Sequence, residues 1–264
     1  MPAALQAGNR AITETEIIPL LIGYQMLPQL LRESIIDQAI ERTQCTPEET
    51  ASACEQFYTQ NQLTTEAARQ AWLEHYSISL KQFVALATRK LRIEKFKQAT
   101  WGPELGSYFL RRKGQLDKVI YSVIRTKDLG FAQELYFRIQ EGEQSFAELA
   151  RQYSQGLEAV TYGLTGPVEL SFPPTILAQM LSVSQPGQLW PPLRFGEWLL
   201  IVRLEQLLPA QFDKPMRQRL LNELFEAWLQ EQLNNRVQDR FLPSAHHHYP
   251  GNQSRPQVDG EKSS

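Results

Sequence analysis

Cysteine, histidine and an excess of either charge are all scarce in this chain. Cys45 and Cys54 are its only cysteines. Two cysteines make no disulfide framework, and no Cys-x-x-Cys spacing offers a zinc or redox site. Both fall where the spacing is helical and read as reduced thiols packed like small apolar groups. Lysine and arginine number 27 against 29 aspartates and glutamates. With that balance, no basic excess argues for nucleic acid or an anionic membrane surface as a partner. The histidines are His75 and the run His246-His247-His248. The run is a metal-binding pattern, but nothing near it supplies further ligands, so no metal or other cofactor is expected. No phosphate loop, nucleophile elbow or helical His-x-x-x-His pair occurs, and no internal repeat. The apolar run Ile17–Leu27 is about a dozen residues, too short to cross a bilayer, and contains Pro19 and Gln25. Only Arg10 precedes it and no small-residue cleavage site follows. It reads as a core helix, and a cytoplasmic protein is the expectation.

What the chain does have is apolar content, 42% over 264 residues, enough for one large or two small cores. Met1–Ala11 is small and polar and predicts a loose terminus. Helical spacing follows from Ile12 to Arg42, with Thr13 and Glu16 placed as a capping box and Pro28 set to kink or split the element. Thr46-Pro47-Glu48-Glu49 and Thr64-Thr65-Glu66 start two further helices, the acids lying at the positive end of the helix dipole. Another begins at Ser77-Ile78-Ser79, and a shorter one covers Glu104–Gly114. Then the pattern switches. Lys118–Arg125 is β-branched and aromatic and predicts a strand. Two helices follow, Phe131–Gln140 and one capped by the box Ser145–Glu148. Gly156–Pro167 reads as loop, Pro174–Leu181 as a short helix, Trp190-Pro191-Pro192 as an extended edge and Trp198–Arg203 as a closing strand. A last amphipathic helix starts at Asp213 and Pro215 and carries Leu220, Leu224, Trp228 and Leu229 at helical spacing. From Pro243 the composition predicts disorder.

The stretch Val119–Leu204 resembles a parvulin-type peptidyl-prolyl isomerase domain. Phe146-Ala147-Glu148-Leu149-Ala150-Arg151-Gln152-Tyr153-Ser154 is similar to the family's Phe-Ala-x-Leu-Ala-x-x-Tyr-Ser phrase. Tyr162-Gly163-Leu164-Thr165-Gly166, Pro186-Gly187-Gln188-Leu189 and Gly196-Glu197-Trp198 follow in the order of the family's later turns. Helices before and after such a domain are similar to the SurA- and PrsA-like foldases. The resemblance implies an α+β fold, in which a helical N-terminal region and a C-terminal packing helix surround a small antiparallel four-stranded sheet with flanking helices. It divides the chain into a helical domain 1–116, the parvulin-like domain 117–208, a helix 209–241 packing on the helical domain, and a disordered tail 242–264. It also implies isomerisation of X-Pro bonds in unfolded or secreted client polypeptides, with a secretion apparatus as a further candidate partner and no role for nucleic acid or membrane insertion.

The family's site uses two strand histidines, a loop Asp or Cys, and a Met and Phe lining a proline pocket. Carried over by position, the first histidine falls at Ser122, or at Tyr121 if the register slips by one. The second falls at Trp198 and the loop acid at Gly156. The apolar positions become Phe172, Ile176 and Leu181, and Gly163 and Gly166 shape the turn beside them. The expected site is therefore Ser122, Tyr121 and Trp198 as its polar or catalytic part, with Phe172, Ile176, Leu181, Gly163 and Gly166 binding substrate. With both histidines and the loop acid replaced, weakened catalysis is expected; the alternative is a chaperone or secretion-accessory protein that binds peptides without isomerising them.

Overall fold

The computed structural model describes residues 5–7 and 10–241; His246–His248 and the tail from residue 242 lie outside the described residues. The chain divides into two compact units, Met1–Phe96 together with Leu224–Ser264, and Lys97–Glu223. Among the described residues no helix is long and apolar enough to cross a membrane.

The first unit begins with an antiparallel pair, β1 (Leu5–Ala7) and β2 (Arg10–Ile12), where the composition predicts a loose terminus. Helices α1 (Glu14–Gly23) and α2 (Leu27–Ile40) follow. They are separate because Gln25 takes a left-handed backbone and Pro28 sits in the first turn of α2, where its missing N–H costs nothing. The run expected to be a core helix is not one: α1 has no buried residue, and Ile18 and Ile22 are exposed. The core of this unit starts instead at Ile35, Ile36 and Ile40 of α2. Helix α3 (Pro47–Gln60) is capped by Thr46, whose hydroxyl accepts from Glu49 N at 3.2 Å. Helix α4 (Glu66–Tyr76) and the long α5 (Leu80–Trp101) complete an aromatic cluster. In it Phe83 is buried, Tyr58 stacks on it, and Phe57 meets it edge-on. From the far end of the chain, Phe225 and Trp228 pack on Phe96, and Glu226 pairs with Arg32 at 2.7 Å.

The second unit holds α6 (Leu105–Leu116), β3 (Lys118–Thr126), α7 (Leu129–Gln140), α8 (Phe146–Tyr153), β4 (Leu164–Glu169), α9 (Thr175–Ser182), β5 (Leu189–Phe195) and β6 (Trp198–Leu208). It also takes the first turns of α10 (Lys214–Phe241), so it runs wider than the expected 117–208. The four strands form one antiparallel sheet in the order β4-β3-β6-β5. Strand β4 lies in the stretch expected to be loop. The half-exposed sequence Leu-Thr-Gly-Pro-Val-Glu hides it, because a strand on the sheet edge needs neither alternation nor β-branched runs.

Alternation along β3 sorts its side chains onto two faces. Val119, Tyr121 and Val123 join Leu170, Leu177, Leu181, Leu200, Val202 and Leu204 in a core covered by α9. Ile124 joins Ile201, Leu135, Phe146, Leu149 and Ala150 in a second core under α7 and α8. Helix α8 is positioned by its capping box: Ser145 Oγ accepts from Glu148 N at 3.2 Å, and the Glu148 carboxylate accepts from Ser145 N at 3.1 Å.

Candidate functional site

The site residues expected from sequence separate onto the two faces of the sheet. Ser122 has the parity of Ile124 and lies opposite Arg203 on β6; Arg203 in turn sits over the Phe146 ring, under α8. Ser122 is only 4% exposed and therefore faces the α7–α8 core, away from α9. This corrects its expected place in the catalytic group. Tyr121 is the alternative that faces α9. Its ring belongs to that core, and it lies opposite Thr165 on β4. Burial pushes the Tyr121 phenol up, so it stays protonated at neutral pH.

The apolar pocket is also rearranged. Leu181 is 0% exposed and is core, not wall. Phe172 and Ile176 are 78% and 44% exposed and belong to neither buried cluster. Together they put apolar surface at the start of α9, without the enclosed pocket that was expected. A hollow of about 420 Å³ beside α9 is lined instead by Leu170, Ser171, Pro173, Thr175 and Ala178, with Gln115. Gly163 and Gly166 have structural reasons to be glycine. At Gly163 (φ +83°) an added Cβ would lie 2.8 Å from Ala150 Cβ and 3.1 Å from Val123 O, and at Gly166 (φ +114°) 2.5 Å from Val119 O. Both let β4 lie close against β3.

Trp198 is half-buried against the α9-side core. Two cations stand on its ring: Lys127 Nζ at 4.6 Å and the Arg125 guanidinium at 5.7 Å from the ring centre. Lys127 also pairs with Glu197 at 2.8 Å. Arg125 belongs to the same face as Tyr121 and Val123, which lie four and two residues before it on the strand. Its backbone N–H donates to Ser154 Oγ at 3.0 Å, and its carbonyl accepts from Gln155 N at 2.9 Å. The tyrosine-serine end of α8 is thereby clamped to β3.

Sequence reasoning missed one residue of this site. Gly156 stands at the loop-acid position and has no side chain. Yet Glu158, two residues on in a 3-10 turn (Leu157–Thr161), folds its carboxylate back over that glycine. A Cβ on Gly156 would fall 2.2 Å from Glu158 Oε2. The carboxylate thus occupies the space where a side chain at 156 would begin. It is buried, accepts from Ser154 Oγ at 2.7 Å, and lies 3.3 Å from Arg125 Nε. The signal was available: Glu158 is the one acid between Ser154 and Gly166. Position-by-position comparison passes over it because the chain reaches the site from two residues later.

The helical unit has a groove of its own, about 690 Å³, between α3 and α5. Ala53, Phe57, Leu86 and Leu91 line it, with Glu48 and Lys90 at its rim.

Residues 126–206 match the family model described as the rotamase, PPIC-type PPIASE domain. The match takes in Glu158 and Trp198 and begins one residue after Arg125. Among solved structures, the chain is similar to the peptidylprolyl isomerase PrsA from Bacillus cereus, at 17% identity over 95% of this chain and 94% of that one, with a TM-score of 0.45. It is similar to the parvulin domain of PpiD from E. coli at 28% identity, over 38% of this chain and 97% of that one, with a TM-score of 0.33. A chain described with the SurA-like chaperones PEB4 and Cj1289 of Campylobacter jejuni is similar at 17% identity, over 94% and 100% of the two chains, with a TM-score of 0.35. No curated protein matches the chain.

Proposed function

Residues 126–206 are a PPIC-type rotamase domain of the parvulin kind, and on that premise we propose that this protein is a folding helper that isomerises X-Pro bonds in unfolded or secreted client polypeptides, with weakened catalysis. The family match at 126–206 carries the proposal. The chemistry asks little of a protein in covalent terms. The barrier of about 20 kcal/mol comes from amide resonance, and a site lowers it by binding the twisted amide better than either planar form. The α9-side face offers the half-buried Trp198 ring, the exposed Phe172 and Ile176 side chains, and the polar cluster of Arg125 and Glu158. Client segments outside the proline have the α3–α5 groove as a second apolar surface in the same chain. Recruitment to a secretion apparatus belongs to the same proposal as a partner of the clients' route.

One observation favours the alternative, a chaperone that binds peptides without isomerising them. No histidine and no cysteine lies anywhere between Lys97 and Glu223, and Ser122 faces away from α9. The two are separated by measuring cis–trans exchange of a proline-containing tetrapeptide by NMR with the full chain. Exchange above the uncatalysed rate is the expected result. Peptide binding with exchange at the uncatalysed rate would establish the chaperone instead.

A further inference from the structure

A twisted amide differs from a planar one in a way that selects the group a catalyst needs. In the planar forms the nitrogen lone pair is delocalised into the carbonyl, so the oxygen is the good acceptor and the nitrogen is not. At the top of the barrier the conjugation is lost. The nitrogen turns pyramidal and regains a localised lone pair, while the carbonyl oxygen gives up negative charge. A donor aimed at the oxygen therefore favours the planar ground states. A donor aimed at the prolyl nitrogen binds only the transition state, and only that interaction accelerates rotation.

The polar groups on the α9 side of the sheet can be sorted by whether they have a donor to give. Tyr121 is buried opposite Thr165 on β4, with a single phenolic O–H to give. Lys127 spends one of its three donors on Glu197 at 2.8 Å and is an exposed point charge without a fixed fork. Arg125 has five N–H donors in a planar fork, and among the described residues none of them is spent. Its Nε is buried and lies 3.3 Å from Glu158 Oε1, but its N–H does not line up as a hydrogen bond. Its two Nη groups make no hydrogen bond to any described residue. The fork is nonetheless held in place: the buried Glu158 carboxylate stands beside it, fixed by Ser154 Oγ at 2.7 Å, and the guanidinium lies 5.7 Å from the centre of the Trp198 ring. A positioned cation with unused donors next to a half-buried indole is what the twisted X-Pro amide requires: the ring for the pyrrolidine, the fork for its nitrogen.

Resting on the isomerase function proposed above, we propose that Arg125 is the catalytic residue of this site, donating a hydrogen bond to the prolyl nitrogen of the twisted amide, and that Glu158 is its positioning residue. No covalent bond forms or breaks and no proton is transferred; the C–N bond rotates and the hydrogen bond is released as planarity returns.

The test is NMR exchange of a proline-containing tetrapeptide with the full chain, reading the exchange rate and the peptide's affinity separately. Removing Arg125 alone leaves the buried Glu158 carboxylate without its cation, and such a variant can fail to fold. The variants are therefore Arg125→Lys, which keeps the charge but not the fork, and the double variant Arg125→Ala with Glu158→Gln, which leaves no lone buried charge. The expected result is a kcat lowered about 10- to 100-fold in both, the worth of one charge-assisted hydrogen bond made in the transition state, with peptide affinity retained. Glu158→Gln alone should lower kcat less and leave KM in place. If the wild type catalyses exchange and the Arg125 variants keep its rate, this assignment is overturned while the isomerase function stands. If rate and affinity fall together in folded variants, Arg125 only binds substrate and the catalytic role is likewise overturned. A wild type at the uncatalysed rate overturns the isomerase function itself, and this assignment with it.

Discussion

Gly163 shows how tightly single residues set the site. Its N–H donates to Glu158 O at 2.7 Å and its carbonyl accepts from Val123 N at 2.9 Å, so it joins the 3-10 turn that carries Glu158 to the strand that carries Arg125. Gly163→Ala would place a Cβ against Ala150 and Val123 in a left-handed backbone. The expected cost is about 2 kcal/mol or more, seen as a lower urea midpoint; an unchanged midpoint would contradict the close approach described here. Trp198→Ala should leave the α9 core folded but remove the ring on which Arg125 and Lys127 stand. Peptide affinity should fall about 10-fold, the scale of a few kcal/mol of aromatic burial only partly used, and unaltered binding in an NMR titration would count against Trp198 as the proline platform. At this scale the sequence was legible where a residue sits in a fixed register and illegible where a side chain reaches across it. The strand positions of Tyr121 and Trp198 were legible because they map one to one, and both lie on the α9 side of the sheet. Ser122 was misplaced because one residue of register turns a side chain to the other face. Glu158 was overlooked because a flexible acid can fill the place of a glycine two residues away.

Between elements, two acids of the sheet unit, Glu169 and Glu223, are held by arginines from helices. The Arg219 guanidinium of α10 bonds both carboxylate oxygens of Glu169 on β4, and also Glu223, which Arg112 of α6 bonds as well. Arg219 holds the Glu169 carboxyl below its usual range, with burial working against it. At Glu223 burial pushes up, but Arg219 and Arg112 together hold it below the usual value. A carboxylate whose folded pKa is depressed stabilises the fold above its unfolded pKa of about 4.3 and loses that contribution as the pH falls through the folded value. Urea midpoints should therefore drop from about pH 5 downward. Arg219→Ala should flatten that slope while lowering the midpoint at neutral pH; an identical slope in the variant would remove this network from the acid response. Capping is cheaper to test. Ser145→Ala at the start of α8 should cost about 1 kcal/mol, measured by the same unfolding curves. Helices announced themselves through such caps, and Thr46, Thr65 and Ser145 all begin helices in the structure; the cap Asp128 of α7 was passed over. Edge strands did not. Strand β4 has glycine, proline and half-exposed side chains in place of alternation, and only pairing with β3 makes it a strand.

At the scale of the whole molecule, no histidine belongs to Lys97–Glu223. His75 lies on α4, and the remaining histidines lie beyond residue 241. Catalysis by a guanidinium, beside a phenol pushed up by burial, has no group that changes charge near neutrality. The exchange rate should be flat between about pH 6 and 8; a sigmoidal rise or fall centred near 6.5 would point to an imidazole and away from Arg125. The division of the chain has a different kind of consequence. The helical unit takes Met1–Phe96 from one end and Leu224–Ser264 from the other, and strand β3 finds its neighbour β6 only at Trp198. On the ribosome these halves emerge far apart in time. At ordinary elongation rates, Phe96 and Arg32 wait on the order of ten seconds for Phe225, Trp228 and Glu226 to be made. During that interval the early helices are themselves an unfinished chain with exposed apolar surface, open to capture by whatever other folding helpers the cell supplies.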